Sequence, residues 1–126
     1  MMKKIIMKET RLFTLNLELG ILAIRNEIDI IFNKIRVTTT SARLRTFLKG
    51  MDCVKCAAKA SHFAVDITYE GKRPHYHLNL YATKDGVEVL MTSDHIHPKS
   101  LGGGGGLSNR QPMCRTCNFE KGAKVE

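Results

Sequence analysis

Four cysteines in the pattern C-x2-C-x57-C-x2-C constrain this 126-residue chain more than any other feature. Cys53 and Cys56 form the first pair, Cys114 and Cys117 the second, and there is no fifth cysteine. The start, MMKKIIMKET, reaches the charge of Glu9 too soon for a secretory signal. In a chain without such a signal, two pairs of this kind read as a zinc site and not as disulfides. Each pair presents two sulfurs from one tight knuckle, and two knuckles complete a tetrahedron. A redox Cys-x-x-Cys is the weaker alternative, because it leaves the second pair without a role. The long spacer means that the metal would close a whole subdomain.

The length suits one domain with an added N-terminal part. No run of eighteen apolar residues occurs, which speaks against a membrane span, and the chain reads as intracellular, in the cytoplasm. The formal charge is +8, and it is uneven. Residues 1–50 hold ten basic and four acidic side chains, for +6, while residues 51–126 contribute only +2. A tetrathiolate holding one Zn²⁺ removes two further positive units. A basic balance of this size suits a polyanion partner through phosphate contacts, although a solvated basic surface looks the same from charge alone.

Along the N-terminal part, Leu17, Ile21, Ile24, Ile28, Ile31 and Ile35 recur at steps of four and three. That stripe predicts an amphipathic helix from about Leu19 to Ile35. Phe13, Leu15, Leu17 and Leu19 also alternate with polar residues, so a strand competes over residues 11–19. A short helix capped by Ser41 or Thr40 should follow, with Gly50 in the left-handed position beyond its end. Between the cysteine pairs the pattern becomes β: HFAVDITYEG, HYHLNLYA and VEVLMTSDH, with a tight Asp-Gly turn before the last. His62, His75 and His77 fall on these strands as surface residues. A short return segment, NRQPM, and a brief helix, RTCNFEKGA, complete the chain.

The chemistry gathers in MTSDHIHPKSLGGGGGLSNRQPMCRTCNFEKG, residues 91–122. Asp94 is an oxygen ligand for a hard cation, and His95 a base that can take a proton from water. Neighbours on a regular strand face opposite ways, so a shared site requires a bend at this strand end. Asn109 can offer an amide oxygen to hold the His95 ring, and Asn118, fixed by Cys117, can complete the metal shell. Lys121 lies three positions after Asn118 on the same helical face and could meet a phosphate. His97, Lys99, Arg110 and Arg115 could do likewise, solvated charge being the ordinary reading of each. No Lys-Ser/Thr follows the five glycines, so they are no nucleotide-binding P-loop. They read as a mobile crossing that lets the chain approach a nucleic-acid backbone closely.

This ordered set, DHIHP…GG…N…PMCRTCNFEKG with CVKC upstream, resembles the HNH endonuclease family, the ββα-metal (His-Me finger) nucleases. The resemblance covers residues 53–122. It implies an α+β fold: a ββα-metal core in residues 51–126 stapled by the four-cysteine zinc, behind an N-terminal helical arm in residues 1–50. His95 matches the general base, Asp94 the first metal ligand, Asn109 the central asparagine and Asn118 the final position. Many members carry histidine at that last place. Asparagine there is the variant also seen in the phage Holliday-junction-resolving endonuclease, and an amide oxygen suits Mg²⁺ or Mn²⁺. The resemblance implies metal-dependent hydrolysis of DNA, and the isoleucine stripe could pair two copies as a homodimer. The alternative is a non-catalytic, zinc-bound nucleic-acid-binding module on the same scaffold.

Overall fold

The computed structural model describes residues 10–122. Strand β1 (Thr10–Leu15) ends at Asn16, whose side chain accepts from Leu19 N at 2.8 Å and caps helix α1 (Leu17–Arg25). Asn26 closes that helix by donating from its side chain to Leu22 O, and Glu27 then takes a left-handed conformation (φ 54°). The helix expected to run to Ile35 therefore stops ten residues early. Residues 30–37 form a small hairpin instead, β2 (Ile30–Phe32) with β3 (Ile35–Val37). Its turn, Asn33-Lys34, has both residues at positive φ, which matches the twist of a two-residue hairpin. Isoleucines at steps of three and four thus serve a helix first and a hairpin afterwards.

Ser41 caps α2 (Ala42–Thr46) as expected, accepting from Leu44 N at 3.2 Å. The helix ends at Phe47, and Gly50 is not in the left-handed region. Two long strands follow, β4 (Lys59–Glu70) and β5 (Arg73–Lys84), and then β6 (Val87–His95) after the Asp85-Gly86 turn. Both turn residues have positive φ, as the Asp-Gly signal requires. β7 (Arg110–Cys114) returns antiparallel to β6 with Met91 opposite Cys114 and His95 opposite Arg110, and α3 (Arg115–Lys121) starts at once. The strands form an antiparallel five-stranded sheet in the order β1-β4-β5-β6-β7.

The architecture is α+β, but residues 10–50 are not a helical arm. β1 lies beside β4, with Phe13 opposite Val65. Ile24, Val37, Leu44 and Phe47 share one apolar cluster with Phe63, Leu80, Met91 and Met113. Gly20 lets α1 close on the sheet: a Cβ there would lie 2.1 Å from the Phe63 ring. The stripe that could have paired two copies is broken at Arg25. Its members Leu17, Ile21, Ile24 and Ile35 pack on or in this core, while Ile28 and Ile31 stay exposed, so the structure lends a homodimer no support. Among the described residues no helix is long and apolar enough to cross a membrane.

Candidate active site and metal centre

The four thiols converge. Cys53 sits in the knuckle after α2, Cys114 ends β7 and Cys117 lies in α3, all buried, with Cys56 at the open corner. Their sulfurs lie within 4.8 Å of one another, and Cys56 Sγ is 3.8 Å from Cys114 Sγ. Sulfurs about 2.3 Å from a tetrahedral zinc stand about 3.8 Å apart, whereas a disulfide needs about 2.0 Å. Backbone bonds hold the knuckle: Val54 N donates to Pro112 O, Cys53 N to Ala58 O and Ala60 N to Asp52 Oδ1. Burial works against the Cys53 thiolate, yet N–H groups of Cys114, Cys56 and Lys55 stabilise it and bring its pKa to about 7. Burial pushes the Cys114 and Cys117 thiols up. A cation is what lets such a set ionise together, so this donor group fits a thiophilic metal.

Asp94 and His95 are the last residues of β6, and the chain bends at Ile96–His97. Both residues line one cleft of about 310 Å³. Ser93, Lys99, Asn118 and Lys121 complete much of its wall. His95 Nε2 is buried and without a hydrogen-bond partner. A buried polar atom left unpaired is costly, and it marks the place where a water or substrate group belongs.

Asn118 is oriented by a chain of bonds. Thr92 donates its hydroxyl proton to Met113 O at 2.6 Å, so toward Asn118 it can only accept. It takes the Asn118 Nδ2 proton at 2.8 Å, which leaves the amide oxygen as the end turned from Thr92. Asp94 is likewise held through one oxygen. Gln111 Nε2 donates to Oδ2 at 3.0 Å, and Lys121 Nζ lies 3.1 Å from the same atom but 3.5 Å from Oδ1. Asp94 Oδ1 and Asn118 Oδ1 are then the less engaged oxygens on one cleft, a donor pair that fits a hard divalent ion.

Several expected roles change. Lys121 is only 2% exposed, and its ammonium bridges Asp94 and His95 O (3.0 Å), so it is a buried partner of the carboxylate and not a surface phosphate contact. Asn109 does not hold the His95 ring. Its Oδ1 accepts from His97 N at 2.9 Å, and its Nδ2 donates to His97 O and Gly104 O, so both amide ends close the loop. Arg110 is also turned inward, to Gly105 O and Ser93 Oγ. His97 donates from Nε2 to Leu101 O at 3.0 Å, within the loop. Lys99 lines the cleft and Arg115 an adjoining groove, both exposed.

The glycine run is less of a free crossing than expected. Gly102 has φ 90°, and a Cβ on Gly103 would lie 1.8 Å from His97 O, so these two build a tight turn. A Cβ on Gly104, Gly105 or Gly106 would meet nothing. The residue that sequence reasoning missed is Gln111. Its signal was the register of the return strand, which sets it directly opposite Asp94.

Among known proteins, residues 81–126 match the family model described as HNH endonuclease. That segment holds Asp94, His95, Asn109, Asn118 and the second cysteine pair. No curated protein and no solved structure matches the chain.

Proposed function

We propose, from the match of residues 81–126 to the HNH endonuclease model, that this chain is a metal-dependent DNA endonuclease. β6, β7 and α3 are read as its ββα-metal core, and Cys53, Cys56, Cys114 and Cys117 as ligands of one structural Zn²⁺. The observation that carries the reading is the unpartnered Nε2 of His95, a residue that lines one cleft with Asp94 and Asn118. His95 takes a proton from a water in that cleft. The water oxygen bonds to phosphorus as the bond to the leaving oxygen breaks. Mg²⁺ or Mn²⁺ on Asp94 and Asn118 would supply the positive charge that the crowded phosphate and leaving oxygen need. Lys121 and Gln111 fix the carboxylate's orientation, and Asn109 sets the path of the loop behind the base. Four reduced thiols in a metal site suit an intracellular location.

One observation favours the non-catalytic alternative, a zinc-bound nucleic-acid-binding module: Lys121 already balances the charge of Asp94. Cleavage separates the two. The purified chain with Mg²⁺ or Mn²⁺ should cut supercoiled, branched or single-stranded DNA. His95→Ala should lower the rate by about 10²–10⁴-fold while zinc content and melting temperature hold. DNA left intact under all these conditions would sink the nuclease reading.

A further inference from the structure

Helix α3 presents two sides of opposite character. Cys117 and Lys121, one turn apart, are buried, whereas Arg115 and Phe119, also one turn apart, are exposed. Phe119 is 88% exposed, more than any other large apolar side chain described. Full burial of such a ring would be strongly favourable. A lone exposed apolar residue needs no explanation. This one lies beside the site. Phe119, Arg115, Thr92 and Asn118 line a groove of about 240 Å³, and Asn118 also lines the His95 cleft. An aromatic ring and a guanidinium thus share a groove that has Asn118 in common with the cleft.

We propose that this groove is a nucleotide subsite, in which a base of the bound DNA strand stacks on Phe119 while Arg115 meets a neighbouring phosphate. The inference rests on the nucleic-acid reading above and adds to it a contact that positions the strand. Spacing and charge favour this occupant. Four residues of helix advance about 6 Å, and a nucleic-acid strand advances about 3.4 Å per nucleotide. The pair therefore spans about two nucleotides, the reach of one base and the next phosphate. Arg115 in the groove and Lys99 in the cleft are both exposed and suit an anionic strand, not an apolar protein surface. Every base has a π-face, so stacking here would hold the strand with little sequence preference.

The chain has no tryptophan, so Phe119→Trp places a single indole in the groove. The test uses the full chain carrying His95→Ala, to prevent cleavage, and fluorescein-labelled DNA as duplex and as single strand. Anisotropy should show binding kept in Phe119→Trp and weakened about tenfold in Phe119→Leu. Indole emission should be quenched as the same unlabelled DNA is added. Melting temperature and zinc content should not move in either variant, since the ring touches little. Equal affinity in Phe119→Leu, or emission that stays constant while DNA binds, would overturn the subsite and leave the nuclease reading standing. If the His95→Ala parent binds neither DNA, the nucleic-acid reading itself fails and takes the subsite with it.

Discussion

At the residue scale, the Lys121–Asp94 pair sets the character of the cleft. Both side chains are almost fully buried, and Nζ stands 3.1 Å from Oδ2. Two charges in such a place are tolerable only together, because removing one leaves the other desolvated and unpaired. Lys121→Met should therefore lower unfolding free energy by about 3–5 kcal/mol, as read from urea denaturation. Adding Asp94→Asn should recover much of the loss. A single variant as stable as the parent would show that the carboxylate is better solvated than its burial indicates. The same pair orients Asp94: Gln111 and Lys121 meet at Oδ2, and Oδ1 is the less engaged oxygen, 3.5 Å from Lys121 Nζ.

At the scale of elements, the loop between β6 and β7 and the opposite edge of the sheet each yield a test. The loop is stapled by the two ends of the Asn109 amide and turned by Gly102 and Gly103. Gly103→Ala forces a methyl group into the His97 carbonyl, so the bend behind His95 must shift. Gly105→Ala meets open space. Cleavage should fall at least tenfold in the first and change little in the second, a contrast that steady-state rates would reveal. Across the sheet, Arg11 of β1 lies 3.6 Å from Asp66 on β4 and 4.6 Å from the Tyr81 ring on β5, and forks onto Glu88 of β6 at 2.9 and 2.7 Å. These bonds hold the Glu88 carboxyl below its ordinary value. A lowered folded-state pKa adds stability above the unfolded-state value and loses it as pH falls through the folded one. Thermal melts of Glu88→Gln should be less stable than the parent at pH 7, and the two should converge in acid. The gap at neutral pH should be small, because the pair is partly exposed and screened.

For the whole molecule, the four-sulfur centre joins parts that lie far apart in sequence. It links the knuckle after α2 to β7 and α3 across nearly sixty residues, and its sulfurs border the same apolar cluster that holds Ile24 and Phe63. Structural zinc contributes about 10–16 kcal/mol in small domains, comparable with the whole stability of an ordinary fold. The chain should carry one zinc. Chelation, or Cys56→Ser, should release the metal and lower the melting temperature sharply, with amide exchange rising first in β7 and α3. Zinc-free protein with an unchanged melt would remove the metal from the account of the fold.

What could be read without coordinates was local or countable. Two cysteine pairs with no fifth thiol favour one four-sulfur site, Asp85-Gly86 requires a tight turn, and a cap at Thr40 or Ser41 is signalled by the polar run that precedes the helix. The order of Asp94, His95, Asn109 and Asn118 was legible for the same reason, each residue being placed by a strand end, a loop or a knuckle next to it. The path after Arg25 was not, since isoleucines at steps of three and four fit a helix as well as the hairpin that Asn33-Lys34 actually turns. Nor could sequence show that Lys121 closes on Asp94, that Asn109 binds His97 and not His95, or that β1 lies beside β4. Those depend on which distant groups meet in space, and only the tertiary packing settles that, because desolvation makes a charge or amide choose the partner the fold brings within reach.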